Sequence, residues 1–291
     1  MKRSTAILCG LAWAALLGGP ALAQGQGQTG GAAKAPLYNT MKTKLLAHKQ
    51  VFAFTVNKLD VANYCEYAKH YDYAFFDMQH TTMSFADVEQ MIAACPHNGA
   101  MPFVRLPDAQ EWHIQHATDV GALGVIIPTV DDVDRAREAV KWARYPPVAR
   151  RSLGNNQASR IWGPDYRNTI NDNILLVIMI ETPTGVANAY DIAAVPGVDG
   201  IFVGNNDLAS FSGFPMDSPE YMQLLNRIHD ATVKTGKFFG CAYSEFAKGY
   251  PLSKDILMFQ NGPSNDGWVP PAQPTSASIS AAIPPMNNAR R

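Results

Sequence analysis

Net charge, cysteine and long apolar runs are all scarce in this sequence, and each scarcity excludes something. Lys and Arg total 24 against 25 Asp and Glu, so the 291-residue chain carries a formal net charge of −1. No basic run or patch stands out, which argues against nucleic acid as a partner. Four cysteines are present, Cys9, Cys65, Cys95 and Cys241. Cys9 lies in an N-terminal apolar run. The other three are an odd number without metal-ligand spacing, which is neither a disulfide framework nor a zinc motif. One bridge, Cys65 to Cys95, is open if their helices are neighbours; buried free thiols are the expectation. The N-terminal apolar run, Ala6 to Leu17, is too short to span a bilayer, so no stable membrane partner is expected.

That run is better read as a targeting segment. Lys2 and Arg3 precede it, and Ala21-Leu22-Ala23 then offers a small-residue cleavage site before Gln24. Residues 1–23 are therefore expected to be a signal peptide cleaved after Ala23, with export to a bacterial periplasm. Residues 24–36, opening QGQGQTGG, read as a flexible linker. A folded domain is expected over residues 37–267. Residues 268–291, low in complexity with a basic end, are expected to be a disordered tail.

Within the domain, apolar runs alternate with helical patterns. The runs are VFAFTV (Val51 to Val56), YAFFDMQ (Tyr73 to Gln79), MPFVRL (Met101 to Leu106), GVIIPTV (Gly124 to Val130), ILLVIMI (Ile174 to Ile180), GIFVG (Gly200 to Gly204), FFGCAY (Phe238 to Tyr243) and ILMFQN (Ile256 to Asn261). Helices are expected over 60–70, 84–94, 109–120, 131–143, 184–194 and 218–235. Ser84-Phe85-Ala86-Asp87 has the capping-box pattern. The stretch from Arg144 to Asp172, rich in Arg, Asn, Pro and Gly, reads as a long irregular loop. Apolar runs without alternation suit strands buried on both faces. Eight of them with intervening helices predict an α/β fold, a (β/α)8 TIM barrel, with no regular eighth helix evident because the pattern fails after Asn261. No Gly-rich phosphate loop follows the first strand, which disfavours an open doubly wound sheet.

Polar residues then fall where a barrel uses them, at the carboxyl ends of strands. Glu181 and Asp207 each stand just past a buried run. Two hard oxygen ligands suit Mg²⁺, Mn²⁺ or Co²⁺, completed by water and substrate oxygens. The alternative is that each caps a following helix or pairs with an Arg. His80 is a candidate base, or else a surface histidine; Asp77 is a candidate to orient it or a metal-bound water. Arg105 is a candidate carboxylate clamp, or else the partner of Asp108 or Asp119. Asp119, near the end of its helix, is a candidate to reach a neighbouring subunit or to pair with a base. Thr129, Gly204, Asn205 and Asn206 complete the candidate substrate contacts.

Six segments in order, FFDMQH, PFVRLP, TDVGALGVIIPTV, EAVKWARYPP, VIMIETPTGVAN and PGVDGIFVGNNDL, resemble motifs of the HpcH/HpaI family of class II, metal-dependent 2-oxo acid aldolases. The resemblance covers Val51 to Gly213. It implies a (β/α)8 barrel and a divalent cation (Mg²⁺, Mn²⁺ or Co²⁺) held by Glu181 and Asp207. It also implies a base at His80, an oxo-acid contact at Arg105, and Asp77 and Asp119 organising the base. The implied reaction is retro-aldol cleavage of a 4-hydroxy-2-oxo acid to pyruvate and an aldehyde, with no Schiff-base lysine. Another enolate-forming lyase (an oxo-acid decarboxylase or a citrate-lyase-like enzyme) and a non-catalytic oxo-acid-binding protein are the alternatives. The sequence departs from the family pattern at Gln79, where the family has Glu, and at Asn205, where it has Pro. It also lacks the family's eighth helix, which packs on a neighbouring subunit, so the domain-swapped assembly of the family is not expected to carry over and a homo-oligomer is left open.

Overall fold

The apolar runs are strands, and they close on one another. The computed structural model describes residues 36–154, 156–244 and 248–271. Helix α1 (Thr40–Leu46) precedes β1 (Val51–Val56), α2 (Val61–Tyr67), β2 (Tyr73–Asp77), α3 (Phe85–Ala94), β3 (Met101–Arg105), α4 (Glu111–Asp119) and β4 (Gly124–Ile127). Then come α5 (Val133–Ala143), α6 (Gln157–Trp162), α7 (Tyr166–Asn173), β5 (Leu175–Ile180), α8 (Pro183–Ala187), α9 (Ala189–Ala193) and β6 (Gly200–Val203). The chain continues with α10 (Asn205–Ser212), α11 (Pro219–Lys234), β7 (Phe238–Ala242) and β8 (Ile256–Gln260). Each strand pairs in parallel with the next, and β1 pairs with β8, giving a closed (β/α)8 barrel.

Every residue of β2 to β6 is buried, because one face lines the interior and the other lies under helices. Successive side chains still alternate between those two faces. Ala53, Phe75, Phe103, Met179, Phe202 and Met258 share the inner cluster, which α1 joins through Met41 and Leu45. Phe54, Phe76, Val104, Ile180, Val203 and Phe259 belong to the outer one. The inner layer needs glycine at two places: a Cβ on Gly124 would stand 2.1 Å from the Phe103 ring, and one on Gly240 would stand 2.7 Å from the Phe202 ring. With no Cβ on Gly124, the Phe103 ring lies across the neighbouring strand.

Three expectations are corrected. The stretch from Arg144 to Asp172 is not an irregular loop, since it contains α6 and α7. Its Asn and Asp residues are caps and brackets. Asn156 accepts from Ser159 N to start α6, and the Asn171 side chain holds Tyr145 by both its amide N–H and its carbonyl. The single helix expected over 184–194 is two, divided at Asn188, whose amide donates to the Asp131 carbonyl at 2.7 Å. Cys65 and Cys95 are not free thiols but a disulfide, with their Cα atoms 5.8 Å apart. They sit on α2 and α3, consecutive helices of the outer ring and therefore neighbours. Helices α1 and α10 had no counterpart in the sequence reading.

No helix follows β8 among the described residues. The chain instead lays Trp268 flat on His70, with ring centroids 4.4 Å apart and planes at 4°. The first residue of the expected tail is thus anchored; residues 272–291, like residues 1–23 expected to be a signal peptide, lie outside the described residues. Beside β1 and α2, where a helix after β8 would pack, is a hollow of about 730 Å³ lined by Phe54, Tyr64, Tyr67, Asn261 and Pro271.

The bridge ties two helices whose cysteines are separated by 30 positions. Closing a loop of that length stabilises a fold by about 3–4 kcal/mol on chain-entropy grounds. Denaturant unfolding with and without dithiothreitol should show a loss of that size. The Cys65→Ser/Cys95→Ser double variant should show the same loss without reductant and no further change with it.

Candidate active site

The two-residue repeat that fills the barrel interior continues past its apolar layers. Two positions beyond Ala53, Phe75, Phe103, Met179, Phe202 and Met258 stand Thr55, Asp77, Arg105, Glu181, Gly204 and Gln260. The same alternation that buries the former turns the latter into the mouth at the carboxyl ends of the strands. The contacts agree. Asp77 is in direct register with Arg105, and Gln260 Nε2 donates to Thr55 Oγ1 at 3.2 Å.

Arg105 and Asp77 form a two-pronged ion pair. Nε donates to Oδ1 at 2.9 Å and Nη2 to Oδ2 at 2.6 Å, with the two residues 9% and 7% exposed. The guanidinium lies 5.3 Å over the Phe75 ring. Such a buried pair is rigid because removing either partner strands a charge, at a cost of about 3–5 kcal/mol. The partner of Arg105 is thus neither Asp108 nor Asp119. Asp77 also shapes the loop after β2. Its Oδ1 accepts from Gln79 N at 3.1 Å and from His80 N at 3.4 Å, and its carbonyl accepts from Thr81 Oγ1. His80 is exposed at the rim, and its ring takes no hydrogen bond among the described residues. Asp77 therefore reaches the backbone of His80, not its imidazole. Gln79 Oε1 is buried without a hydrogen-bond partner.

Glu181 is 1% exposed. It does not cap the next helix, because Thr182 does so, accepting from Gly185 N at 3.0 Å. Both donors of Thr129 converge on one of its oxygens: Thr129 N and Thr129 Oγ1 each lie 2.7 Å from Oε1. Thr129 holds this pose at φ 50°, a left-handed conformation that β-branched residues rarely adopt. The other oxygen, Oε2, is buried and has no partner. It lies over residue 204, where a Cβ would come within 2.1 Å of it. Only glycine leaves that space. Burial raises the Glu181 pKa above the ordinary 4.5, and the Asp207 charge raises it further, while Thr129 and Arg105 pull the other way.

Asp207 lies in the first turn of α10, half-buried, and accepts no hydrogen bond among the described residues. The mouth thus brings Asp77, Arg105, Thr129, Glu181, Gly204 and Asp207 together, with His80 at its edge. Three sequence candidates stand elsewhere or face away. Asp119 ends α4, the helix that delivers the chain to the amino end of β4, so it lies at the opposite end of the barrel. There it accepts from Arg151, Asn156 and Gln115, each at 2.7 Å. Asn205 is buried and turns its carbonyl to the Tyr221 hydroxyl at 3.1 Å. Asn206 is exposed. Thr129, expected to touch substrate, commits both donors to Glu181. Gly204, Thr55 and Gln260 matter for reasons that the repeat of two could have supplied; the left-handed turn at Thr129 has no sequence signal.

Among the described residues no group of three or more His, Cys, Asp or Glu side chains is placed to hold a metal ion. A cation here would have two carboxylates from the protein and oxygens from water or substrate. The residues fit that arrangement. A buried carboxylate oxygen without a donor, a second carboxylate near enough to raise its pKa, and a glycine-lined space over it are what a divalent cation would satisfy.

A sequence profile of the HpcH/HpaI aldolase/citrate lyase family matches residues 55–255. The chain is 33% identical over 166 residues to the 2-dehydro-3,6-dideoxy-6-sulfogluconate aldolase of Pseudomonas putida, across 56% of this chain and 65% of that protein. It is 34% identical over 167 residues to the hydroxypyruvate/pyruvate aldolase of Roseovarius nubinhibens, again across 56% and 65%. The chain therefore spans 65% of the length of these two relatives. The crystal structure of an HpcH/HpaI aldolase from Desulfitobacterium hafniense superposes with a TM-score of 0.68 at 26% identity, over 75% of this chain and 88% of that one.

The raised pKa of Glu181 has a measurable consequence in metal-free protein. Below the ordinary 4.5, folded and unfolded states both hold the proton. As pH rises above it, the unfolded state ionises first, and the folded state is penalised for burying the charge. Glu181→Gln should therefore stabilise metal-stripped protein at neutral pH, by about 1–3 kcal/mol if the full cost of an unsatisfied buried group is relieved. The advantage should shrink as pH falls through the glutamate range. Denaturant unfolding in chelator across pH 4 to 8 measures both, and an equal effect at all pH values would contradict the assignment.

Proposed function

Because the chain belongs to the HpcH/HpaI aldolase/citrate lyase family, we propose that it is a divalent-metal-dependent carbon–carbon lyase cleaving a 4-hydroxy-2-oxo acid to pyruvate, or a related 2-oxo acid, and an aldehyde. The observation that carries this reading is the orphaned Glu181 Oε2 beside Asp207 at the mouth of the barrel. Glu181 and Asp207 would hold the cation. When bound, it supplies positive charge against the negative charge that develops on the oxo-acid oxygens as the carbon–carbon bond breaks.

The remaining roles belong to the chain itself. Arg105 has two donors locked on Asp77, which fixes its plane. Its remaining N–H groups are the oxo-acid carboxylate contact. Asp77 is then a positioning residue: it orients Arg105 and sets the loop that carries His80. His80 takes the 4-hydroxyl proton, through a water, and its exposed ring is free to exchange that proton with solvent. None of the inward mouth positions of β1, β2, β3, β5, β6, β7 and β8, which are Thr55, Asp77, Arg105, Glu181, Gly204, Ala242 and Gln260, is a lysine. None of these seven strand-end positions therefore supplies an amine for a Schiff base.

A second reading, an oxo-acid decarboxylase on the same platform, is favoured by one observation. The His80 ring has no partner among the described residues, and Gln79, beside it, leaves Oε1 buried and unpaired. Decarboxylation needs no base at a 4-hydroxyl.

We also assign the protein to an exported, oxidising compartment, with cleavage after Ala23. The Cys65–Cys95 disulfide supports this, since such bridges persist outside the reducing cytoplasm.

The mature protein should release pyruvate from a panel of 4-hydroxy-2-oxo acids in the presence of Mg²⁺, Mn²⁺ or Co²⁺. Release should stop with chelator. Glu181→Gln should lower kcat/KM by at least about 100-fold, the scale expected when a principal electrostatic group is lost. Turnover of oxaloacetate without aldol cleavage would favour the decarboxylase; binding of pyruvate without turnover of either substrate would overturn both readings.

A further inference from the structure

A carboxylate oxygen has two lone pairs to offer. On Glu181 Oε1 both are taken, by the amide and the hydroxyl of the same residue, Thr129, at 2.7 Å each. No donor in the described chain hydrogen-bonds Oε2, which lies against Gly204. Glu181 is thus presented asymmetrically, one oxygen saturated by the protein and one bare. We propose that Thr129 is the positioning residue of the cation site: by filling both lone pairs of Oε1 it confines Glu181 to a single coordinating oxygen, and so selects compact divalent cations over Ca²⁺. The inference rests on reading Glu181 and Asp207 as a cation site.

The physical argument has three parts. Ca²⁺ takes about six to eight oxygens and favours two-oxygen chelation by a carboxylate, which would need a free lone pair on Oε1. Mg²⁺ takes fewer oxygens and keeps several waters, so one oxygen from each of two carboxylates meets its needs; Mn²⁺ shares that preference for carboxylate and water. The hydroxyl is what completes the saturation, because the backbone amide alone would fill one lone pair. The conformation is also specific: at φ 50° the amide and the hydroxyl of one β-branched residue point the same way. A threonine held in that region is strained, and such strain persists where the surroundings fix it. Here Val130 N, donating to the Met179 carbonyl at 3.2 Å, ties the turn to β5. Gly204 fixes the other side, since any Cβ there would collide with Oε2.

The test is calorimetric titration of metal-stripped protein with MnCl₂ and with CaCl₂, for wild type, Thr129→Val and Thr129→Ser, each first checked for a cooperative thermal melt. Valine keeps the branched shape and the amide but loses the hydroxyl; serine keeps the hydroxyl. Wild type should bind Mn²⁺ more tightly than Ca²⁺. Thr129→Val should weaken Mn²⁺ by about tenfold, the scale of losing a group that orients a ligand, and should narrow the Mn²⁺/Ca²⁺ ratio. Thr129→Ser should restore both. If the valine variant does not fold, Thr129→Ala is put through the same titrations. A hydroxyl-free variant that binds both ions as wild type does overturns the proposal alone. Wild type that binds neither ion overturns the reading of the site, and the proposal with it.

Discussion

A carboxyl group buried with one oxygen left unpaired is expensive, and the mouth of this barrel is arranged around one. Glu181 is at the end of β5, in the interior set of side chains, with one oxygen held by Thr129 and the other bare. Several otherwise unrelated features are consistent with that single constraint. Residue 204 has no side chain, because Oε2 occupies the space. Thr129 adopts a conformation it would avoid elsewhere. Thr182, not Glu181, caps α8, which leaves the carboxylate free to face inward. Deep burial of a charge is tolerated in folded proteins when something bound repays it, and the cation proposed between Glu181 and Asp207 would be that counterpart.

Across the mouth, Asp77 and Arg105 solve the opposite problem. Their charges are also buried, but each neutralises the other through two hydrogen bonds in direct register between β2 and β3. One wall of the site is therefore self-satisfied and stiff, while the wall at β5 and β6 is under-satisfied and poised for a ligand. The guanidinium and the loop carrying His80 are both fixed by Asp77. A single carboxylate thus couples the group proposed to hold the substrate to the group proposed to take its proton. The rigidity comes from the barrel itself: closure of eight parallel strands leaves each strand end no freedom to shift independently of its neighbours.

The sequence was legible where burial writes a pattern. The eight apolar runs correspond to the eight strands to within three residues at their ends, because strands covered on both faces must be apolar throughout. The capping box at Ser84 and Asp87 is present as read. Helix starts hidden in polar stretches were not legible. Asn156 and Asn171 look like loop residues, and only the contacts they make show them to be a cap and a bracket. The pairing of Cys65 with Cys95 depended on whether α2 and α3 lie side by side, which spacing does not state. In the site, Glu181, Asp207, Asp77 and Arg105 were nominated from strand ends, and the barrel gathers them. Asp119 was nominated from its place near a helix end and again by resemblance; within one chain it sits at the other end of the barrel, paired with Arg151.

The sequence by itself determined the class of fold and the level at which polar chemistry begins. A side-chain period of two along buried strands carries the interior apolar layers straight into the polar layer above them. Only the tertiary structure decided how those polar residues are used. Whether Arg105 pairs with Asp77 or with another acid, which oxygen of Glu181 is left bare, and why residue 204 must be glycine all depend on distances across neighbouring strands. Local sequence sets the direction of a side chain, but partners are chosen by closure of the sheet, which brings together residues from Asp77 to Asp207 that no local signal connects.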